Sequence, residues 1–218
     1  MDRTFFLNLL IAIPGILVAI TFHEAAHGFA AYRLGDETAK AQGRLTLNPL
    51  SHIDPVGTII VPAILFLFAG FVIGWAKPVP VNPYNMRNPK RDMALSAAAG
   101  PLTNIAIALI SIIIIRILIF PLSDILSASL SRAILQPIYL MFQYSAVINV
   151  VLAVFNMIPL PPLDGGRVAI GFLPHKEAEF ISRLEPYGFM IIIFLFFILG
   201  IGRYIFGPLI QFIYLLTT

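Results

Sequence analysis

The first apolar segment of the chain carries three ionisable side chains within about one helical turn. The segment begins near Phe5, and His23, Glu24 and His27 follow in the pattern H-E-x-x-H. If the segment is a helix, residues four positions apart share one face, so the two imidazoles lie side by side. Ionisable groups at membrane depth are costly and usually mark a functional site. The motif therefore restricts the chain to folds that shelter a polar site inside an apolar bundle.

The composition indicates an integral membrane protein. The 218 residues are 59% hydrophobic and 11% charged, with a mean hydropathy of +0.91, whereas soluble domains carry about 25% charged residues. The absence of cysteine excludes disulfides and thiolate metal ligands. The net charge of +3 bears on membrane orientation, and we expect no nucleic-acid partner. Only Arg3 precedes the first apolar run, so we expect no cleavable signal sequence.

The apolar segments predict an all-α polytopic membrane protein with about five to six transmembrane segments in a single domain, residues 1–218. The first helix extends from Phe5 to about Leu34, which at about 1.5 Å per residue is long enough to cross a bilayer. Further segments cover approximately 93–120, 137–158 and 187–217. The last of these is interrupted by glycines, so it is either a helical hairpin or one bent helix.

Residues 57–76 are apolar and contain Pro62 and Gly70, so they form either a full span or a re-entrant segment. The re-entrant arrangement places ten of the fourteen basic residues on the cytoplasmic side, which the positive-inside rule favours. We therefore predict that this segment is re-entrant and that the site opens towards the cytoplasm. The ten residues are Arg33, Lys40, Arg44, Lys77, Arg87, Lys90, Arg91, Arg167, Lys176 and Arg183.

The stretch after this segment alternates like an edge strand interrupted by prolines, most clearly from Val79 to Asn82. This pattern fits a small membrane-associated β-hairpin and a plain loop equally well. If the stretch is a strand, its exposed edge could hold an unwound peptide by β-addition.

Two imidazoles at this spacing can bind one zinc ion, and Glu24 is then placed to take a proton from a water molecule beside it. A catalytic zinc site needs a third protein ligand. Asp164 is the strongest candidate, because it follows Pro159, Pro161 and Pro162, which interrupt a helix between apolar segments. Backbone freed at membrane depth must be buried in protein or line a cavity. The other candidates are Asp36, Glu37, His52, Asp54, Asp92, Asp124 and His175.

His52 and Asp54 form a further polar pair in the turn between Pro49 and Pro55. On the re-entrant arrangement this turn lies at the same mouth as the zinc site. We hypothesise that His52 covers the open position of the metal, as a weak ligand or through a bridging water, until substrate arrives. Asp54 would then orient the His52 ring from behind. The alternative is that the pair only fixes a surface turn.

Three motifs in this order resemble the site-2 proteases, a family of intramembrane zinc metalloproteases. They are H-E-A-A-H at 23–27, G-P-L-T-N at 100–104 and N-M-I-P-L-P-P-L-D-G at 156–165. The resemblance extends from Phe22 to about Arg167. The chain begins almost at the first motif and leaves no room for a PDZ domain, so it resembles the compact branch of the family.

The resemblance implies a zinc metalloendopeptidase that hydrolyses peptide bonds within or next to transmembrane segments of membrane-protein substrates. Its catalytic core would cover about residues 5–173, in a bacterial or archaeal cell membrane. Glu24 would be the general base and acid, and Asn104 and Asn156 would bind substrate. One zinc ion per chain would be held by His23, His27 and Asp164.

Two other functions fit parts of the sequence. A metal or proton transporter could use the same intramembrane His/Glu/Asp cluster, but it would need further ionisable residues along several helices. The sequence has almost none outside this cluster. An inactive family member that acts as a membrane scaffold would have lost part of H-E-x-x-H or the aspartate, and both are intact.

Overall fold

The computed structural model describes residues 3–69 and 74–218, which are helical and contain no β-strand. Residues 70–73, including Gly70 of the predicted re-entrant segment, lie outside the described residues. The α-helices in chain order are α1 (Arg3–Arg33), α2 (Thr38–Ala41), α3 (Val61–Ala69), α4 (Pro89–Ile114), α5 (Phe120–Ile125), α6 (Ala128–Leu130), α7 (Gln136–Asn156), α8 (Asp164–Phe172), α9 (His175–Ser182), α10 (Gly188–Ile193) and α11 (Ile201–Thr217).

Short segments of other helix types join several of these helices. Wider π-helical turns cover Pro55–Ile60, Ile115–Ile119, Ser131–Leu135 and Phe194–Ile198. Single 3₁₀ turns cover Pro49–Ser51, Pro83–Asn85 and Glu185–Tyr187. Because the π-helical turns continue the neighbouring α-helices, the chain forms longer helical stretches than the α-helices alone.

Among the described residues, four helical stretches are long and apolar enough to cross a membrane, and the chain is an integral membrane protein, as predicted. Two further apolar helices, Pro55–Leu65 and Ile201–Thr217, are shorter than these stretches, and the count of five to six transmembrane segments stays a prediction. The four longer stretches are Leu7–Arg33, Pro89–Ile125, Ala128–Asn156 and His175–Ile198.

Helices α1, α4 and α7 pack against one another and form the centre of the bundle, and α8 packs against α4. The side chains between them are mostly small: Ala19, Ala97, Ala146 and Ala153 are almost completely buried. Large apolar side chains point outward instead, as Leu102 does with 62% of its surface exposed. Lipid tails solvate leucine as well as a protein core does, so membrane helices associate through close van der Waals packing of small residues.

The chain reverses direction at Gly200, near its C-terminal end. Gly200 has a left-handed backbone conformation, with φ of 65°, which glycine adopts without strain. The rings of Phe196 and Phe206 on either side stack with centroids 5.7 Å apart. In one continuous helix these residues would be separated by about 15 Å along the axis, so the two helices fold back on each other.

The two ends of the apolar 57–76 segment lie together. The Lys77 N–H donates to the His52 carbonyl at 2.9 Å, and the Trp75 N–H donates to the Gly57 carbonyl at 3.0 Å. The Thr58 hydroxyl donates to the Trp75 carbonyl at 2.8 Å. These bonds hold the start of the segment, at residues 52–58, against its end, at residues 75–77.

Of the two interpretations of the stretch around Val79–Asn82, the described part of the chain contains the plain loop and no β-hairpin. This stretch uses its backbone N–H groups for other contacts. The Val79 N–H donates to the Glu24 carboxylate, and the Asn82 N–H donates to the Asp36 carboxylate at 2.7 Å. These amides bind side chains of α1 and of its loop, so they cannot also pair with a neighbouring strand.

Asp36, one of the candidate ligands in the sequence, instead holds together the loops that follow α1 and precede α4. Its fully buried carboxylate accepts hydrogen bonds from the Thr38 N–H and hydroxyl, the Asn85 side-chain amide and the Asn82 N–H. Burial alone would raise the pKa of Asp36, but the bonds from Thr38, Asn82 and Asn85 more than offset it and lower the pKa below 3.8.

The lowered pKa of Asp36 predicts a pH-dependent contribution to stability. The ionised carboxylate stabilises the fold above its ordinary pKa of 3.8, and this contribution is lost as pH falls through the lower pKa of the folded state. Asp36→Asn replaces one acceptor oxygen by a donor, and we expect it to destabilise the fold by about 1–3 kcal/mol at neutral pH.

Thermal unfolding followed by circular dichroism in detergent, between pH 3 and 7, measures this effect. Glu37→Gln is the matched control, because Glu37 is adjacent and exposed and its side chain makes no capping hydrogen bond. Equal melting temperatures for Asp36→Asn and Glu37→Gln at pH 7 would contradict the role assigned to Asp36.

Candidate metal centre

Three side chains from two distant parts of the chain converge at the centre of the bundle. His23 and His27 extend from one face of α1, and Asp164 is the first residue of α8. His23 Nε2 lies 3.0 Å from His27 Nε2, and Asp164 Oδ2 lies 3.2 Å and 3.3 Å from these two atoms. Only 6% of the surface of His23 and 8% of that of Asp164 is accessible to solvent. The two imidazoles and the carboxylate are thus nearly excluded from solvent.

The hydrogen bonds behind the two imidazoles determine which ring nitrogens face the centre. His27 Nδ1 donates to the Ser96 carbonyl at 2.8 Å, so Nε2 of the neutral ring keeps its lone pair. His23 Nδ1 lies 2.5 Å from Asn104 Oδ1, which requires the same tautomer. Both Nε2 atoms therefore point lone pairs at each other and at the Asp164 carboxylate.

These three acceptors fit a zinc ion. Asp164 Oδ2 is buried and has no hydrogen-bond donor, which is costly for a carboxylate oxygen. Ligand atoms about 2.0–2.1 Å from zinc in tetrahedral geometry lie about 3.3 Å from one another, close to the separations of His23, His27 and Asp164. Within the described residues, this is also the only group of three or more histidine or carboxylate side chains close enough to share one ion. A cation at this point would replace lone-pair repulsion by coordination.

Helix α4 supports this cluster with three residues spaced four positions apart on one face. The Ser96 carbonyl accepts a hydrogen bond from His27 Nδ1, and the Ser96 hydroxyl donates to the His27 carbonyl at 3.0 Å. One turn further, a Cβ added to Gly100 would lie 2.4 Å from His27 Nε2. After another turn, Asn104 contacts His23. This face of α4 thus provides a hydrogen-bond acceptor for His27 at Ser96, room for both rings at Gly100 and a hydrogen-bond acceptor for His23 at Asn104.

Glu24 lies outside the cluster of three ligand atoms, although it is adjacent to His23 in α1. Its Oε2 accepts a hydrogen bond from the Val79 N–H at 2.9 Å. The extended stretch that contains Val79 therefore binds the carboxylate of the residue adjacent to His23. Such a carboxylate can exchange protons with a water molecule without competing for the metal.

The structure places Asn104 behind the cluster, where it is fully buried against His23. Its side-chain amide donates to the Ala19 carbonyl at 3.1 Å and to Asn149 Oδ1 at 2.7 Å. Asn149 was missed as a site residue by the sequence reasoning, although an asparagine in an apolar helix is itself a signal. Asn156, at the end of α7, is partly buried and donates to the Leu152 carbonyl at 3.0 Å. Substrate binding by Asn104 and Asn156 stays a prediction.

His52 and Asp54 do not belong to the cluster of three. His52 is buried and its Nε2 contacts the Thr46 carbonyl at 2.9 Å. Asp54 caps the helical turn that begins at Pro55, accepting hydrogen bonds from Val56 N–H and Gly57 N–H. The capping contact is the one expected of a turn aspartate, and the gating role of His52 stays a prediction.

The remaining candidate ligands are located away from the cluster. Asp92 is buried in the first turn of α4 and accepts a hydrogen bond from the Asn88 N–H at 2.8 Å. Glu37, Asp124 and His175 are exposed. Of the eight candidates, Asp164 is therefore the residue that completes the cluster.

Comparison with known proteins gives a family match over most of the chain. A model described as "Peptidase family M50" matches residues 11–199. "Putative zinc metalloprotease YwhC" of Bacillus subtilis is 38% identical over 196 residues, which are 90% of this chain and 84% of that protein. "Putative zinc metalloprotease Rip2" of Mycolicibacterium smegmatis is 28% identical over 206 residues, which are 90% of this chain and 70% of that protein. No solved structure matches the chain.

The space left by Gly100 generates a prediction about metal binding. A methyl group at this position would lie 2.4 Å from His27 Nε2 and 2.8 Å from His23 Cε1, so both rings must move in Gly100→Ala. We expect Gly100→Ala to bind zinc at least about tenfold more weakly, because ligand orientation sets metal affinity.

Competition between the purified protein and a zinc chelator measures this change. Gly207→Ala is the matched control, because Gly207 is also a helical glycine and a Cβ there meets no atom within 4 Å. Wild-type zinc affinity in Gly100→Ala would mean that the metal does not bind where these rings meet.

Proposed function

Because the chain belongs to peptidase family M50, the site-2 protease family of zinc metallopeptidases, we propose that it hydrolyses peptide bonds within or next to transmembrane segments of membrane-protein substrates. The observation that carries this proposal is the convergence of three acceptor atoms, from His23, His27 and Asp164, with Glu24 adjacent to His23 in α1. The site lies among helices long enough to cross a membrane, where the peptide bonds within reach belong to other membrane proteins.

We propose that one zinc ion per chain is held by the two imidazoles and the aspartate. When bound, zinc polarises a carbonyl group and lowers the pKa of water to about 7. Glu24 accepts the proton of the attacking water and returns it to the leaving amine. The Val79 N–H orients Glu24 through Oε2, and in the described part of the chain no donor binds Oε1, which leaves it for water. Asn104 and Ser96 keep the two rings in the tautomer that presents Nε2 to the metal.

An apolar groove of about 360 Å³ beside α1 supports access by an apolar peptide segment. The groove is also lined by Leu45, Thr46 and Leu47, whose backbone N–H groups make no hydrogen bond within the described residues. A helical substrate must unwind to expose a peptide bond, and its freed carbonyls need new donors at membrane depth. We propose that these N–H groups supply them. The wall of α1 and α4 consists of Phe22, Ala25, Ala26, Phe29 and Thr103.

We propose that residues 57–76 are re-entrant and that the site opens towards the cytoplasm of a bacterial or archaeal cell. The hydrogen bonds that join His52 and Gly57 to Trp75 and Lys77 support a segment whose two ends lie at one membrane face. The distribution of Lys and Arg supports the same arrangement.

Metal content and cleavage, measured on the same variants, test the proposed roles. We expect Glu24→Gln to retain zinc and to cleave a transmembrane peptide about 10²–10⁴-fold more slowly, because it loses the general base. Asp164→Ala should lose both zinc and activity. Glu179→Gln, which alters an exposed carboxylate, is the control for detergent-purified enzyme. Loss of zinc from Glu24→Gln, or retention of zinc and activity in Asp164→Ala, would refute these assignments.

Cysteine labelling tests the proposed topology. Because the chain has no cysteine, Lys40→Cys and Asn88→Cys each introduce a single reactive thiol. We expect a membrane-impermeant reagent to modify both residues from the cytoplasmic face of inverted vesicles and neither from intact cells. Labelling of the two positions from opposite faces would mean that residues 57–76 cross the membrane.

A further inference from the structure

A continuous line of polar side chains crosses the apolar bundle behind the metal centre. It runs from His23 on α1 to Asn104 on α4, and from there to Asn149 and the Ser145 carbonyl on α7. Asn104 and Asn149 are completely buried. A buried polar group in an apolar bundle is costly unless each of its hydrogen bonds is made, and here each amide nitrogen and oxygen has a partner.

The direction of these hydrogen bonds is fixed from the α7 end. The Ser145 carbonyl can only accept, so Asn149 must turn its NH₂ group towards it, at 2.8 Å. Asn149 Oδ1 then faces Asn104 and accepts from its NH₂ group at 2.7 Å. Asn104 in turn presents Oδ1 to His23 Nδ1, which must carry the ring proton. His23 Nε2 is therefore left with the lone pair that a metal requires.

The tautomer of His27 is fixed without a chain of side chains, because its Nδ1 donates directly to the Ser96 backbone carbonyl. The partner of His23 is an amide, which could present either its oxygen or its NH₂ group. A reversed Asn104 would donate to Nδ1 and move the ring proton to Nε2, which would abolish the ligand. Reversal would also set the Asn104 oxygen against two acceptors, the Ala19 carbonyl and Asn149 Oδ1.

We propose that Asn149 is a positioning residue for the metal centre, which acts through Asn104 to hold His23 in the metal-binding tautomer. This inference rests on the zinc site of the proposed function. Among the described hydrogen bonds, Asn149 binds Asn104 and Ser145 and neither His23 nor Asp164, so we expect its effect to be on affinity and geometry at the metal. Outer partners of zinc ligands typically change metal affinity by about 10–100-fold when mutated.

The experiment compares zinc affinity in the purified full chain by competition with a chelator. Asn149→Leu removes the acceptor and keeps the number and branching of the side-chain heavy atoms, and we expect it to bind zinc at least about tenfold more weakly than wild type. Asn149→Asp keeps an acceptor oxygen towards Asn104, so it should restore most of the affinity. The visible spectrum of the Co²⁺-loaded protein should change in Asn149→Leu and remain wild-type-like in Asn149→Asp.

Gln143→Leu is the matched control on the same helix. Gln143 is also a buried amide of α7, but it binds Tyr139 and Thr217 and has no link to His23. We expect Gln143→Leu to lower the melting temperature and to keep wild-type zinc affinity. If Asn149→Leu behaves in the same way, Asn149 is only structural and the inference is overturned.

A second variant covers the case in which Asn149→Leu does not fold. Asn149→Ala removes the acceptor without placing a branched apolar side chain against Asn104, and wild-type zinc affinity in this variant would also overturn the inference. A wild-type chain that binds no zinc would instead overturn the proposed function. The two failures are therefore distinguishable in one set of titrations.

Discussion

The mutual repulsion of three acceptor atoms is the constraint on which this structure depends. Nε2 of His23, Nε2 of His27 and Oδ2 of Asp164 lie 3.0–3.3 Å apart with little access to water. With both imidazoles neutral, no donor faces the three acceptors, because each ring uses its N–H group elsewhere. In a low-dielectric bundle such an arrangement is costly, and a cation at its centre removes that cost. The surrounding helices therefore have to be rigid enough to hold the acceptors together.

That rigidity comes from hydrogen bonds between helices and not from a large apolar core. Many of the buried apolar residues are alanines, and many large apolar side chains face outward, whereas Ile115, Ile119 and Leu135 form a small buried cluster. In lipid, burying leucine inside a protein gains little, so helix association relies on close packing and on polar contacts between helices. Ser96, Asn104 and Asn149 therefore stabilise the bundle and orient the metal ligands through the same contacts.

The loops carry the second part of the site. The Val79 N–H holds the Glu24 carboxylate, and the buried Asp36 carboxylate fixes the loop to which Val79 belongs by accepting from Asn82. The carboxylate that we propose as general base is thus oriented by a segment outside its own helix. The helix bundle therefore determines the geometry of the proposed metal ligands. The proposed proton transfer by Glu24 depends instead on the position of the loop that contains Val79.

The sequence alone determined the local features of this protein. Its apolar segments indicated an all-α membrane protein, and the spacing of His23 and His27 placed both imidazoles on one helix face, because helical periodicity depends only on neighbouring residues. The proline break before Asp164 indicated a third ligand. Only the tertiary structure decided which helix faces meet. It gave His27 the Ser96 carbonyl and Glu24 the Val79 N–H, and it linked His23 to Asn149 through a buried amide. Every residue has a backbone carbonyl and almost every residue has an N–H, so the sequence does not mark which of these groups will bind a side chain. Contacts between residues distant in the sequence depend on how the helices pack, so no local pattern could have predicted these hydrogen bonds.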